Sequence, residues 1–273
     1  MKISVVLPVK NQTAKLIGNL KSKVLPYYDS LRIDYEILIV SDGSDEPNQN
    51  AMILAMHSLP KQVKLLPYEN HKGKGHNVQR GFLAATGDYA MFMDADMATD
   101  LHTLDKILPE IDRYDGFVAS RHCPDAHILS KQTLARRFIS WMSRKMIKDR
   151  FHFADIHDTQ CGYKLFKSSL AKLLAKKQHD DGFAFDVEYL YLMQLNGLTV
   201  KEVPCSWTDD PDSSIGHPLR TSFAFYKEMS QIKKAKASYL LSEEEKESLN
   251  VSSTLQGNES KVNVKAKEGE HAN

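Results

Sequence analysis

Short apolar segments that alternate with helical patterns constrain the fold of this chain more than any other feature of its sequence. The strands predicted from these segments occupy residues 3–9, 35–43, 63–68, 89–96 and 116–121. Strands that are apolar along their whole length are typical of parallel sheets with helices on both faces. The sequence therefore predicts an α/β fold built on a mostly parallel sheet.

The second half of the chain is less regular. Predicted strands lie at 161–167 and 199–207, and predicted helices lie at 131–148, 183–197 and 221–236. From residue 242 onward the sequence has almost no aromatic residues, so it cannot bury enough apolar area to offset the entropy of ordering. We predict one domain over residues 1–236 and a disordered tail over residues 242–273.

The composition argues against several classes of protein. The 36 basic and 35 acidic side chains give a formal net charge of +1, which does not favour nucleic acid as a partner. Three distant cysteines without C-x-x-C spacing do not favour a disulfide framework or a structural zinc site. No segment approaches the roughly 20 apolar residues that cross a bilayer, and the N-terminus does not resemble a signal peptide. We therefore expect a cytoplasmic protein.

Two aspartates that follow the apolar run 89–93 are the first candidates for a functional site. Side chains two residues apart in a strand point the same way, so Asp94 and Asp96 are expected to converge on one point. Two carboxylates in this arrangement suit Mg²⁺ or Mn²⁺, which also take phosphate oxygens as ligands. An acidic turn that caps a helix beginning near Asp100 explains the same residues equally well.

Polar residues also follow the first two predicted strands. Asn11 follows the first strand and Asp42 follows the second, where a nucleobase or ribose can accept hydrogen bonds or donate them. Each residue alone is compatible with an ordinary turn. Because ligands of open α/β sheets bind beyond the carboxyl ends of the strands, three such ends together favour a nucleotide site with a metal at its phosphate end.

A glycine-containing segment, "HKGKGHNVQRG" at 71–81, precedes a predicted helix. It lacks the third glycine of the dinucleotide fingerprint and does not match a P-loop. Its two glycines beside Lys72 and Lys74 can still bring a helix N-terminus close to a diphosphate. A solvated loop with a helix cap is the alternative interpretation.

The predicted helix 131–148 combines an apolar face that includes Trp141 with basic flanks. The basic residues in and just after this helix are Lys131, Arg136, Arg137, Arg144, Lys145, Lys148 and Arg150. This pattern is typical of a helix that lies on an anionic membrane surface. A helix packed on the sheet with a solvated basic edge fits the pattern about as well.

Several of these segments resemble glycosyltransferase family 2, which has the Rossmann-like GT-A fold. The matching segments are "EILIVSDGSDE", "KGKGHNVQRGFLAATGDYAMFMDAD" and "DTQCGYKLF" followed by "FAFDVEYL". The last combination is similar to dolichyl-phosphate glucosyltransferases, in the branch that makes polyprenyl-phosphate sugars. The resemblance runs from about Ile3 to Lys236 and implies a nucleotide-sugar half (1–122) and an acceptor half (123–236).

The resemblance also implies roles for matched residues. Those implied to hold the nucleotide sugar are Pro8, Val9, Asn11, Asp42, Lys74, Asp94, Asp158 and Gln160. Those implied to act in catalysis are Asp94 and Asp96, which hold the metal, and Arg121, Arg137 and Lys164, which lie near the acceptor phosphate. Ala98 occupies a position where mannosyl-transferring relatives carry a further metal ligand.

The implied activity is metal-dependent, inverting transfer of a hexose, glucose from UDP-glucose, to a polyprenyl or dolichyl monophosphate. The enzyme is then expected at the cytoplasmic face of a membrane as a peripheral protein. A phosphate monoester with a second pKa of about 6 is largely dianionic at neutral pH, so it needs cations rather than a general base. The alternatives are a family 2 enzyme that glycosylates a sugar hydroxyl in a surface polysaccharide, and a nucleotide-sugar-binding module without catalysis.

Overall fold

The computed structural model describes residues 1–41, 43–68, 70–130, 134–209 and 218–249. Within these ranges the strands are β1 (Lys2–Val9), β2 (Asp34–Ser41), β3 (Val63–Leu65), β4 (Tyr89–Met93), β5 (Gly116–Ser120), β6 (His127–Ile128), β7 (Tyr163–Lys167), β8 (Val200–Pro204) and β9 (Ser206–Trp207). Seven of them form one central sheet, whereas β6 and β9 pair separately. The sheet provides the frame for every candidate site residue described below.

The order of strands in the central sheet is β3-β2-β1-β4-β7-β5-β8. All neighbouring pairs are parallel except those of β7, which runs antiparallel to both β4 and β5. The start of β7 therefore lies beside the end of β4, with Tyr163 opposite Met93. The mostly parallel sheet is confirmed, and both predicted halves of the chain contribute strands to it.

The helices are α1 (Thr13–Asn19), α2 (Leu25–Ser30), α3 (Glu46–Met56), α4 (Lys74–Ala84), α5 (Thr103–Ile107), α6 (Leu134–Phe151), α7 (Ser168–Lys177), α8 (Phe185–Leu195) and α9 (Pro218–Lys234). A π-helical turn, Leu20–Val24, joins α1 to α2. The predicted helix at 131–148 corresponds to α6, and residues 131–133 lie outside the described residues.

Two apolar cores cover the two faces of the sheet. The core on the side of α4, α7, α8 and α9 includes Phe82, Phe92, Phe166 and Tyr189, and the rings of Phe82 and Tyr189 stack with centroids 6.0 Å apart. The core on the side of α1, α2, α3 and α5 includes Tyr28. Since alternate strand side chains enter different cores, the strands are apolar along their whole length, and the predicted α/β fold is confirmed.

The prediction of disorder from residue 242 is wrong for residues 243–249, which are helical. Ser242 and Glu245 cap this helix reciprocally, because each backbone N–H donates to the other's side chain at 2.8 and 3.2 Å. Lys177 also pairs with Glu245 at 3.1 Å. Residues 250–273 lie outside the described residues. No helix in the described part of the chain is long and apolar enough to cross a membrane.

Candidate active site

The carboxyl ends of β1, β2, β4 and β5 meet at one edge of the sheet, and the turn after β4 lies at its centre. Asp94 and Asp96 lie in this turn rather than in the strand, which ends at Met93. The Ala98 N–H donates to Asp96 Oδ1 at 3.0 Å, and the Asp94 N–H donates to the Gly162 carbonyl at 3.0 Å. The turn, and not the two-residue period of a strand, therefore sets the direction of the two carboxylates.

Asp94 lies close to the start of β7 and keeps part of its carboxylate in solvent. Its side chain is 35% exposed, and its Oδ1 atom lies 2.5 Å from Lys74 Nζ. A Cβ atom at Gly162 would lie 1.9 Å from Asp94 Oδ2, so the carboxylate occupies the space that a side chain at position 162 would fill. Asp94 is thus both held in place and open to a ligand.

A second, buried lysine–aspartate pair joins β7 to the first turn of α8. Lys164 is fully buried, and its Nζ donates to Asp186 Oδ1 at 2.6 Å and to the Cys161 carbonyl at 2.8 Å. The ammonium groups of Lys74 and Lys164 lie 5.9 and 5.3 Å from the centroid of the Phe92 ring. We call Lys74, Asp94, Lys164 and Asp186 the lysine cluster.

Within the lysine cluster, the pKa values of Asp186 and Lys74 are both raised. Burial raises the pKa of Asp186, although the charges of Lys164 and Lys74 act in the opposite direction. Burial alone would lower the pKa of Lys74, but Asp94, Asp186 and Asp96 together raise it. Lys164 was predicted to lie near the acceptor phosphate. Its contacts in the structure are with Asp186 and Cys161, and a role toward the acceptor stays a prediction.

Arg121, which follows β5, forms a bidentate ion pair with Asp158. Arg121 Nε and Nη2 donate to the two carboxylate oxygens at 2.7 and 2.8 Å, and the Arg121 backbone N–H donates to Oδ2 at 2.9 Å. Glu202 on β8 accepts hydrogen bonds from the backbone N–H groups of His157 and Asp158, each at 2.7 Å. We call Arg121, His157, Asp158 and Glu202 the arginine cluster.

The arginine cluster keeps Asp158 ionised. Burial alone would raise the pKa of Asp158, but the hydrogen bonds and charge of Arg121 lower it to about 2. The Arg121 guanidinium also lies 5.4 Å from the centroid of the Trp207 ring. Arg121 and Asp158 were predicted to bind the acceptor and the donor separately. The structure brings them together, and Gln160 is half-buried in the turn that follows Asp158.

The predicted base-binding residues lie at the ends of β1 and β2. Pro8 is half-buried and Val9 is buried beside Ser41. Asn11 has a positive φ of 50°, and its side-chain oxygen accepts a hydrogen bond from the Asp45 N–H at 2.8 Å. Asn11 therefore braces the loop after β1 against the loop after β2. Asp42 lies outside the described residues.

The glycines before α4 accommodate another part of the chain. The Gly75 and His76 N–H groups donate to the carbonyls of Gly182 and Asp181 at 2.9 and 3.2 Å. A Cβ atom at Gly73 would lie 2.0 Å from the Asp181 carbonyl oxygen, so only glycine fits beneath this segment. The prediction that this helix N-terminus can approach a diphosphate is therefore wrong for these two N–H groups, because the segment 180–182 already occupies them.

Comparison with known proteins identifies the family to which this chain belongs. The family model described as "Glycosyl transferase family 2" matches residues 4–174, more than half of the chain. The chain belongs to glycosyl transferase family 2. The resemblance inferred from the sequence motifs is thereby confirmed.

Curated members of the family extend the match beyond residue 174. Dolichyl-phosphate beta-glucosyltransferase from Dictyostelium discoideum is 29% identical over 242 residues, which cover 85% of this chain and 73% of that protein. The enzyme of the same name from Drosophila melanogaster is 31% identical over 236 residues, 79% of this chain and 69% of that protein.

Solved structures confirm the fold at much lower identity. Mannosyl-3-phosphoglycerate synthase from Rubrobacter xylanophilus has a TM-score of 0.64 at 16% identity, covering 87% of this chain and 75% of that one. Glucosyl-3-phosphoglycerate synthase from Mycobacterium tuberculosis, in complex with Mn²⁺, UDP and phosphoglyceric acid, has a TM-score of 0.61 at 16% identity. That similarity covers 89% of this chain and 80% of the other. The GT-A fold of the family is confirmed.

Sequence reasoning overlooked Arg144 as a site residue in favour of Arg137. Arg137 is exposed on α6, whereas Arg144 is half-buried two helical turns later. The charge of Arg144 interacts with those of Asp158 and Arg121, and burial is the main cause of the lowered pKa of Arg144. The seven-residue spacing from Arg137 was the available signal, because residues two turns apart share one face of a helix.

The side chains in the turn after β4 are of the kind that bind a divalent cation. Asp94 and Asp96 offer hard oxygen ligands, and the Asp94 carboxylate is partly open to solvent. Among the described residues, no three His, Cys, Asp or Glu side chains are close enough to hold a metal ion together. A cation held by Asp94 and Asp96 would take its remaining ligands from phosphate oxygens and water.

Proposed function

We propose that this enzyme transfers glucose from UDP-glucose to a polyprenyl or dolichyl monophosphate, with inversion at the anomeric carbon. The names of the Dictyostelium and Drosophila relatives support this choice of acceptor and sugar. The observation that carries the proposal is the pairing of the site aspartates. Asp94 pairs with Lys74, Asp158 with Arg121, and Asp186 with Lys164.

This pairing favours a phosphate acceptor over a hydroxyl acceptor. A hydroxyl needs a general base. Asp158 is a poor one, because Arg121 lowers its pKa to about 2, and the Asp186 carboxylate is buried and accepts a hydrogen bond from Lys164. A phosphate dianion needs only positioning by positive charge. Arg144 supplies such a charge beside the arginine cluster, and Arg137 extends it along the same face of α6.

On the donor side, we assign Asp94 and Asp96 to hold Mg²⁺ or Mn²⁺. A divalent ion held by these residues would supply positive charge to the diphosphate leaving group. Pro8 and Val9 would line the base pocket at the end of β1, and Asp42 is assigned to the uracil or ribose. Lys74 would contact a diphosphate as a point charge once it leaves Asp94.

The exposed face of α6 supports peripheral attachment to a membrane, and we propose that this is its cytoplasmic face. Phe138, Trp141 and Met142 are 59%, 52% and 44% exposed, and the first two rings lie 6.0 Å apart. The exposed Arg137 and Lys145 flank them. An aromatic surface with cationic flanks is typical of a helix that binds anionic lipid headgroups.

The test is an acceptor competition with purified protein and UDP-[¹⁴C]glucose. We expect Mn²⁺- or Mg²⁺-dependent transfer to dolichyl phosphate and none to soluble oligosaccharides. GDP-mannose serves as the donor control and should transfer no sugar. Transfer to an oligosaccharide hydroxyl without any to the lipid phosphate would contradict the proposal. Donor binding without any transfer would indicate a nucleotide-sugar-binding module instead.

A further inference from the structure

The ammonium of Lys74 lies against the carboxylate that we assign to the divalent cation. Lys74 Nζ lies 2.5 Å from Asp94 Oδ1, a direct charge-assisted contact. The charges of Asp186 and Asp96 act on the same ammonium. Lys74 therefore contacts Asp94 directly and also experiences the charges of Asp96 and of Asp186, which Lys164 holds.

The backbone of Lys74 is fixed, so only its side chain can leave. Lys74 is the first residue of α4, and the next two N–H groups are bound by the carbonyls of Gly182 and Asp181. Its side chain is 21% exposed and ends in a single rotatable ammonium rather than a planar fork. The contact with Asp94 is thus one that the side chain can exchange for a nearby phosphate without any change in the helix.

We propose that Lys74 is a placeholder cation that blocks Asp94 until the nucleotide diphosphate attracts it away, so that metal and donor bind cooperatively. This inference rests on the proposed assignment of Asp94 as a metal ligand. Two cations cannot share one carboxylate oxygen at contact distance without strong repulsion. A diphosphate offers Lys74 a new anionic partner and frees Asp94 for the metal ion. The free protein then binds metal weakly, and metal binds tightly only together with the nucleotide.

The test measures Mn²⁺ binding by isothermal titration calorimetry, without acceptor lipid, in the presence and absence of UDP. In the unmodified protein we expect UDP to tighten Mn²⁺ binding by about tenfold or more, a typical coupling between two sites. Lys74→Met removes the placeholder charge. It should tighten Mn²⁺ binding to the nucleotide-free protein by about tenfold and reduce the effect of UDP. Lys74→Arg keeps the charge and should keep nucleotide-free binding weak.

Lys167→Met is the matched control, because Lys167 pairs with Asp115 at 3.2 Å with similar exposure at the other end of β7. It should leave Mn²⁺ binding unchanged. If Lys74→Met bound Mn²⁺ in the absence of UDP no more tightly than the unmodified protein does, the proposal that Lys74 blocks Asp94 would be wrong. Independent binding of Mn²⁺ and UDP to the unmodified protein, a measurement that requires no variant to fold, would also overturn it. Failure to bind UDP under any condition would instead contradict the proposed function.

Discussion

The lysine cluster and the arginine cluster lie at the same edge of the sheet but hold their charges in different ways. In the lysine cluster each ammonium makes one contact to a carboxylate oxygen, and Asp94 is 35% exposed. In the arginine cluster both oxygens of Asp158 are engaged by Arg121, and the Asp158 side chain is 1% exposed. The single contact of Lys74 with the partly exposed Asp94 can be exchanged for another. The buried, bidentate contact of Arg121 with Asp158 is fixed by an additional hydrogen bond from the Arg121 backbone.

This difference matches the proposed roles, in which the Lys74–Asp94 pair exchanges partners when a ligand binds and the arginine cluster holds the surrounding segments in place. Lysine is a compact charge on a flexible stem, and arginine is a planar fork that matches a carboxylate. The arginine cluster also joins three segments, since Arg121 follows β5, Asp158 precedes β7 and Glu202 lies on β8. The comparison predicts that changes in the arginine cluster affect stability first and that changes in the partly exposed Lys74–Asp94 pair affect activity first.

The largest effect on stability is expected from Asp158→Ala. The substitution leaves the guanidinium of Arg121 buried without its carboxylate, which typically costs about 3–5 kcal/mol. Urea denaturation should show this loss, and the double variant Arg121→Met with Asp158→Leu should recover part of it. A loss below about 1 kcal/mol would remove the distinction between the two clusters.

Asp94→Asn should affect activity and leave the fold intact. Loss of a group that stabilises charge in a transition state typically lowers the rate by about 100- to 1000-fold. Because Asp94 is partly exposed, urea denaturation should show a change under about 1 kcal/mol. The control is Asp115→Asn, which alters a lysine-paired aspartate at the opposite end of β7. Full activity of Asp94→Asn would contradict the proposed role of the Lys74–Asp94 pair in binding a ligand.

A third carboxylate, Asp180, should give the opposite dependence of stability on pH from Asp158. Burial, followed by the charges of Glu228 and Glu188, raises the pKa of Asp180 to about 7. A raised pKa in the folded state means that the stabilising protonated form is lost as pH rises from about 4 through about 7. The pKa of Asp158 is lowered to about 2, so its contribution is present above about pH 4 and lost as pH falls towards 2.

Urea denaturation between pH 4 and pH 8 separates these contributions. Asp180→Asn should flatten the decline in stability by at least about 1.4 kcal/mol, the equivalent of one pKa unit. Asp181→Asn, at a neighbouring residue whose carboxylate is mostly exposed, should leave the profile unchanged. An unchanged profile for Asp180→Asn would show that its carboxyl is ionised at neutral pH.

The smallest expected effect is on membrane binding through α6, the helix that carries Arg144 beside the arginine cluster. Trp141→Glu together with Phe138→Glu should weaken flotation with anionic vesicles by about tenfold, because two exposed apolar contacts are replaced by charge. Leu54→Glu changes a residue on α3 that is 70% exposed and should have no effect. Equal flotation of the double variant and the unmodified protein would exclude α6 as the attachment surface.

The sequence predicted the sheet well because its signal is local. The run of apolar residues in β1, β2 and β4 marks each strand, and the aspartates after β4 mark the edge where the site lies. The helix at 243–249 was missed although its S-x-x-E capping box is also a local signal.

Sequence patterns could not predict contacts between side chains that are far apart in the chain. The contact between Arg121 and Asp158 spans 37 residues, and no spacing rule connects two such positions. The glycines at 73 and 75 suggested a phosphate loop, but the segment 180–182 explains them. The tertiary structure therefore determines which polar residues contact each other. The local sequence pattern predicts only which of them lie at the carboxyl edge of the sheet.

The antiparallel strand β7 has a consequence for how this protein is made. β7 separates β4 from β5, so those two strands leave the ribosome well before the strand that joins them. Until residue 167 has been synthesised, both present unpaired backbone edges and apolar side chains, which favours aggregation. A fragment that ends at residue 122 lacks this strand permanently, and we expect it to be insoluble rather than to form a working nucleotide-sugar half.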